Sequence, residues 1–318
     1  MRCCATSEEG PVSAIVLHDA EDIVHPSEFR VFARHLGVHA AVQLPVVPLC
    51  HPASRFVSGH YCDEFSEAHA KQMLVRSAVG AGMPLAGVGC AIRRDMIGRI
   101  ADARGGAPFD ATSLTEDYEL GLTIGVMGGR TLLARDPECP GGRPVAVRAY
   151  FPSRLPAAVR QKARWMTGIA LAGWDRVGWG PVAGIGDHWM RMRDRRATLA
   201  IPVLVVAYCA LVVWGLSLLG HFIGGSSAPA LPPFVQTLLM INFGLLLWRL
   251  VVRAVFVWRA YDWRQAFWST PRFLVSNYVS LLAARLAFAM YLRLLSGGAP
   301  KWDKTAHQFP ENPEQATA

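Results

Sequence analysis

Two long uncharged runs, Ala197 to Gly220 and Leu231 to Trp248, constrain this chain more than any other feature. Each is rich in Leu, Val and Ile, and each is long enough for a tilted crossing of a hydrocarbon layer about 30 Å thick. Together with a hydrophobic share of 52%, they imply a membrane protein whose first 190 or so residues form something else. Charge then orients the pair. Arg191, Arg193, Arg195 and Arg196 crowd the entrance of the first run, and Arg249, Arg253, Arg259 and Arg264 follow the second. Between them, His221 to Ala230 holds no Lys or Arg. By the positive-inside rule both ends of this hairpin face the cytoplasm and the short loop faces out. Much of the net charge of +8 is therefore topological, which argues against a nucleic-acid partner. Neither run contains an acid to bind a coupling ion, which weakens a transporter reading.

A third apolar stretch, Phe273 to Leu295, contains Asn277, Arg285 and Arg293 and is expected to be an interfacial or re-entrant helix. The tail from residue 296 to 318, with Lys301 and Lys304, would then stay cytoplasmic. Trp174, Trp179 and Trp189 precede the first run, where indoles anchor at headgroup level. The seven cysteines include no C-x-x-C pair, so reduced structural thiols are expected, with Cys90 in its Gly-flanked stretch the one to watch.

The first 190 residues alternate strand-like and helix-like segments. Ala14 to Leu17 has the character of a buried parallel strand. Val42 to Leu49, punctuated by Pro45 and Pro48, suits an edge strand. Ser54 to Ala81 has helical spacing, Arg93-Arg94-Asp95 starts a helix after the Gly87-x-Gly89 turn, and Thr115 is a plausible N-cap for a helix to about Met127. Arg130 to Ala134 looks like a strand, and Pro152 and Pro156 introduce the helix carrying Gln161 to Trp174. The expectation is an α/β layer followed by helical membrane segments, divided at about residues 190 and 295.

Three clusters carry chemistry. Asp19, Glu21 and Asp22 close the first strand, where open α/β sheets place ligands. Their hard oxygens suit Mg2+ or Mn2+ shared with phosphates, although a lone D-x-E-D is more often an acidic surface loop. Glu116 and Asp117 open a helix. Asp117 is a candidate general base, against the bland alternative of acids favouring a helix N-terminus. Gln161, Arg164 and Trp165 stand at i, i+3 and i+4 and share a helix face. Arg offers a planar fork to phosphate, and Trp a flat face to a pyranose. The bland alternative is an amphipathic helix at the membrane surface.

In this order the clusters resemble the membrane-integrated family 2 glycosyltransferases, which include cellulose and hyaluronan synthases. The nine residues from His18 to Pro26 and the tail Lys301 to Pro310 resemble in particular the phage adsorption protein B branch. The resemblance implies a GT-A-type nucleotide-diphospho-sugar transferase domain, cytoplasmic and carried by a multi-pass bacterial inner-membrane protein. It places Asp19 and Glu21 on the metal and diphosphate position, with Asp22 beside them, and Asp117 on the base. Arg164 and Gln161 fall on the diphosphate contact, and Trp165, with Glu116, on the acceptor side. The implied partners are a nucleotide-sugar donor, a polysaccharide acceptor, the lipid bilayer and an export partner in the outer membrane. In this family the metal motif follows the half of the domain that holds the nucleotide. Only about 18 residues precede it here, so the expectation is a partial domain, residues 1–190, lacking that half. A catalytically inactive membrane scaffold in export or phage adsorption is the competing expectation.

Overall fold

The computed structural model describes residues 12–180 and 184–299. The expected roles of Trp174 and of the tail beyond residue 299 lie outside the described residues and side chains. Short apolar runs form a four-stranded mixed sheet of β1 (Ala14–Leu17), β2 (Ala41–Gln43), β4 (Cys90–Arg93) and β5 (Thr131–Leu133). The spatial order is β1-β4-β2-β5. Here β1 departs from expectation. It runs antiparallel to β4, Leu17 lying opposite Cys90, and only Leu17 of its four residues is buried. A four-residue apolar run signals a strand but not its direction.

The stretch from Val42 to Leu49 also differs from the expected single edge strand. It divides at Leu44-Pro45. The first part, β2, is interior, antiparallel to β4 and parallel to β5. The second part, β3 (Val46–Leu49), leaves for a separate two-stranded parallel sheet with β6 (Val147–Tyr150). Proline fits there, since Pro48 has no N–H and a two-stranded sheet leaves each strand one free side.

Helices α1 (Glu28–Leu36), α4 (Arg94–Ala103) and α5 (Glu116–Val126) cover the sheet. Ile97, Ile100, Leu120 and Ile124 pack on Leu17 and Ile92, while Val31 and Phe32 pack on Val42 and Leu44. Helix α5 lies so close to the chain at Met83–Leu85 that a Cβ on Gly121 would stand 2.4 Å from the Met83 carbonyl oxygen. That position requires glycine.

A second helical layer begins with α2 (Gly59–Glu67), which passes through a π-helical turn (Ala68–Gln72) into α3 (Met73–Ala78). Helix α6 (Leu155–Trp165) likewise runs into a π-helical segment (Met166–Leu171), followed by α7 (Gly173–Val177) and α8 (Ile185–Arg195). Three helices long and apolar enough to cross a membrane follow, α9 (Ala197–Ile223), α10 (Pro233–Ala260) and α11 (Trp263–Leu295). The first two match the uncharged runs. The third begins ten residues before the expected Phe273, where the Asp262 side chain caps the Gln265 N–H at 2.8 Å. It is one continuous helix, not a re-entrant pair.

Helix α2 ties the two parts of the molecule together through its acids. Asp63 pairs with Arg272 of α11 at 3.2 Å, and both side chains are fully buried. Glu64 accepts from Ser276 of α11 at 2.6 Å and pairs with Lys162 of α6. Glu67 faces Arg253 of α10 at 4.0 Å.

Candidate active site

The acid loop, the Gly87–Gly89 turn and the start of α5 meet at one end of the sheet. The acid loop leaves β1 at Leu17, whose register partner Cys90 opens β4 directly after the turn. Cys90 is fully buried, and its thiol is pushed up by burial, with the charges of Asp117 and Asp22 adding to the effect. Cys90 is therefore an inert thiol beneath the two acidic clusters.

Asp117 sits in the first turn of α5. Its carboxylate accepts the N–H of Tyr118 at 2.8 Å. A Cβ on Gly87 would stand 3.0 Å from its Oδ2, and the positive φ of Gly87 (75°) already favours glycine. Burial pushes the Asp117 carboxyl up to about 6. Glu116 adds to the shift, while Arg164 opposes it. A carboxylate so placed is charged near neutral pH yet basic enough to accept a proton. Thr115 occupies the N-cap position but makes no side-chain cap. Its hydroxyl lies against the π-helical segment after Trp165, where a Cβ on Gly168 would stand 2.4 Å from Oγ1. That contact brings α5 and α6 together.

The three acids of the loop do not share one environment. Asp19 is exposed and Glu21 is buried. Asp22 turns inward, accepting the Asp19 N–H at 2.9 Å and pairing with His18 at 3.1 Å. His18 also reaches Glu28 at 2.9 Å, and these two carboxylates raise its pKa to about 9. Asp22 thus shapes the loop. Ile23 fastens its far end to Arg148 of β6. Among the described residues no three His, Cys, Asp or Glu side chains are grouped to hold a metal. Metal sites completed by substrate phosphates commonly use only one or two carboxylates; of the two candidates, Asp19 is open to such a ligand, whereas Glu21 is buried.

On α6, Gln161 is buried with its Oε1 unsatisfied, while Arg164 and Trp165 are half-buried. Lys162, between them, turns to Glu64. The Trp165 ring sits edge-on to Tyr61 at 6.1 Å and to Phe151 at 6.3 Å, with Phe65 also at 6.3 Å. It is packed into the domain rather than standing as a membrane anchor. The helix continues as a π-helical turn, a feature frequent at functional sites.

Sequence reasoning missed several positioning residues. Gln43 is fully buried, donates to the carbonyls of Leu44 (2.9 Å) and Val88 (2.8 Å), and accepts the Ala86 N–H at 2.8 Å. It holds the Gly87 turn against the sheet. Its only signal was one amide within an apolar run. Asp194 accepts both Arg76 nitrogens at 2.8 Å and the Tyr118 hydroxyl at 2.8 Å. It links α5 to the root of α9.

Comparison with known proteins agrees with this geometry. Residues 14–296 match the glycosyl transferase family group 2. The chain belongs to that family. It is 33% identical to bacteriophage adsorption protein B of Escherichia coli K12 and to bacteriophage N4 adsorption protein B of Escherichia coli O157:H7. Each match covers 94% of this chain and 42% of the relative. The chain thus spans less than half the length of these curated relatives. With a mixed sheet and helices followed by three apolar helices, all within the matched region, it has the expected fold class.

Proposed function

We propose that this family 2 domain transfers a sugar from a nucleoside-diphosphate donor to a hydroxyl of a growing polysaccharide, with inversion. The acceptor oxygen forms the new bond to the anomeric carbon. The bond from that carbon to the diphosphate breaks, and its electron pair leaves with the nucleoside diphosphate. Asp117 takes the acceptor proton. Arg164 and Gln161 hold the diphosphate, the guanidinium by its fork and the amide by its NH2 donors. Trp165 offers the acceptor sugar whatever ring surface its aromatic neighbours leave free, with Glu116 as a hydrogen-bond acceptor beside it. Mg2+ or Mn2+ held by Asp19 and Glu21 would supply neutralisation of the leaving diphosphate.

The observation that carries this reading is the Asp117 carboxyl, half-buried and raised to about 6 beside a glycine turn and within the field of Arg164. Asp117→Asn should lower transfer by roughly 10²–10⁴-fold. Because the working form is the carboxylate, wild-type turnover should fall as pH drops through about 6. Nucleotide release and polymer formation are measured separately in membranes, normalised to folded protein. Full activity in Asp117→Asn would refute the assignment, whereas absence of transfer by the wild-type chain would favour the non-catalytic scaffold.

The same proposal carries a topology. Helices α9 and α10 cross the bacterial inner membrane as a hairpin, with the α/β domain cytoplasmic, and an outer-membrane partner exports the product. Helix α11 lies along the cytoplasmic surface. Its buried residues, Ser269, Arg272, Ser276, Val279, Ala283 and Ala287, form one stripe about 27 Å long at 1.5 Å per residue. Helix α11 packs on α6 and α10, and also on α2 and the π-helical segment. A crossing would carry Asp63, Glu64 and Lys162 into hydrocarbon with it, which is costly for charged groups. An impermeant thiol reagent should label a cysteine at Ser226 from outside, whereas one at Gly297 should react only from the side of the exposed Cys139. Labelling of Gly297 from the outside would make α11 a crossing helix.

A further inference from the structure

The seam between α6 and α11 opens as a groove of about 450 Å³, within the range of small-molecule sites. Leu155, Pro156 and Val159 of α6 form one wall, and Leu282, Leu286 and Ala289 of α11 form the other. Arg285 is the one charged residue in the lining, and no acid faces it there. Elsewhere on α11, Tyr278, Phe288 and Leu292 are exposed. In the surface orientation proposed for α11, its exposed side meets the acyl chains. We propose that this groove binds an anionic glycerophospholipid of the membrane, an acyl chain lying between the two helices and the phosphate held by Arg285. The inference rests on that orientation of α11.

The chemistry follows from the lining. An apolar trough beside a bilayer accepts a hydrocarbon chain from it because the Leu, Pro, Val and Ala walls leave no polar group unpaired against the chain. A guanidinium at its side needs a counter-charge, and the phosphate diester of a headgroup provides planar, bidentate complementarity. A zwitterionic lipid presents the same phosphate with a cation attached, so it is held less well. A peptide segment could fill the trough, but it would lack the diester that Arg285 selects. The consequence reaches the candidate active site, since α6 forms one wall here and presents Gln161, Arg164 and Trp165 one to two turns further on. A bound lipid would fix that helix against the membrane.

The test uses the full chain purified in mild detergent and examined by native mass spectrometry with added phosphatidylglycerol or phosphatidylcholine. Phosphatidylglycerol should be retained at one copy, at least tenfold more tightly than phosphatidylcholine. Arg285→Ala, at an exposed position, should remove the preference. Ala289→Trp, which fills the trough from its exposed side, should weaken retention of both lipids. Unchanged thermal unfolding in both variants confirms that they fold. Equal retention of the two lipids by wild type, or unchanged retention in either variant, would overturn the proposal. Displacement of the lipid by millimolar inorganic phosphate would also overturn it, by reducing the site to a phosphate contact. The orientation of α11 fails separately, through outside labelling at Gly297, so the two results are distinguishable.

Discussion

Helices α9 and α11 have similar credentials for crossing a membrane, yet they meet the rest of the chain in opposite ways. In α9, 27 residues long, no residue is buried. In α11, 33 residues long, six are buried and all lie along one stripe. The upper part of that stripe is polar: Arg272 and Ser276 meet Asp63 and Glu64 of α2, and Ser269 donates to the Ala266 carbonyl of its own helix. The lower part is small, with Ala283 and Ala287 against Ala163 of α6. Hydropathy measures only whether a helix tolerates lipid. The periodicity of its polar and small residues shows what else it must touch. On the topology proposed above, a helix committed along one stripe to α2 and α6 keeps its place beside that domain while α9 enters the bilayer.

The comparison breaks most easily at Arg272. Removing its guanidinium leaves the Asp63 carboxylate buried without its cation, and Arg272→Leu should cost about 3–5 kcal/mol in unfolding experiments. Val212→Ala, on the exposed surface of α9, should stay within about 0.5 kcal/mol. Burial holds the Asp63 carboxyl up at about 7, against the pull of Arg272. A carboxyl raised above its unfolded value binds its proton more tightly in the folded state. Its ionisation therefore reduces stability as pH climbs from about 4 through 7. Without Arg272 the rise is larger, so the deficit of Arg272→Leu should shrink as pH is lowered from 8 to 5. Asp63→Leu combined with Arg272→Leu should recover much of the loss. A deficit no larger than that of Val212→Ala would show that α11 is not anchored by this pair.

The same contrast explains what was legible in the sequence. The α9–α10 hairpin was readable because its signal is local: uninterrupted apolar residues between arginine clusters. The helix bearing Asp117 was readable from Thr115 at its N-cap position, and the one carrying Gln161 to Trp165 from Pro152 and Pro156 at its start. The Asp63–Arg272 pair was not, because its members lie 209 residues apart and each looks locally like a surface charge. The directions of β1 and β2 were equally hidden, since pairing is decided by the partner strand. At the candidate site, the motif acids could be named in advance. The inward turn of Asp22 to His18, and the hold of Gln43 on the Gly87 turn, depend on contacts that no local pattern encodes.

A smaller effect is expected at the alanine seam. Ala283 and Ala287 are fully buried opposite Ala163, and the Thr167 hydroxyl reaches the Ala163 carbonyl at 2.8 Å and that of Ala287 at 3.4 Å. Ala287→Leu inserts side-chain volume where two helices meet at small residues, and should destabilise by about 1–3 kcal/mol. Because the seam lies within a turn of Arg164, transfer should fall further than the loss of folded protein accounts for. An alanine-to-leucine change at Ala210, exposed on α9, should leave both stability and transfer level. Equal tolerance at the two positions would mean that α11 is loosely held, as α9 is.

The smallest effect is expected where the two contrasted helices touch. Asn277 of α11 donates to the Tyr208 hydroxyl of α9 at 3.3 Å, the one hydrogen bond described between them. Both groups are only partly buried, and a neutral bond of that length contributes about 0.5–1.5 kcal/mol at most. Asn277→Leu and Tyr208→Phe should each cost no more than that. Their double variant should match the costlier single change, because the second substitution removes a bond already lost. If α9 were instead a structural partner of α11, as α6 is, either change would approach the cost of Arg272→Leu and would lower transfer with it. Thermal unfolding of the two single variants and the double variant in one detergent measures this. Values near 1 kcal/mol or less would leave α9 tethered to the domain chiefly through its root at Arg195 and Asp194, free to take its position from the bilayer while α11 takes its own from the domain.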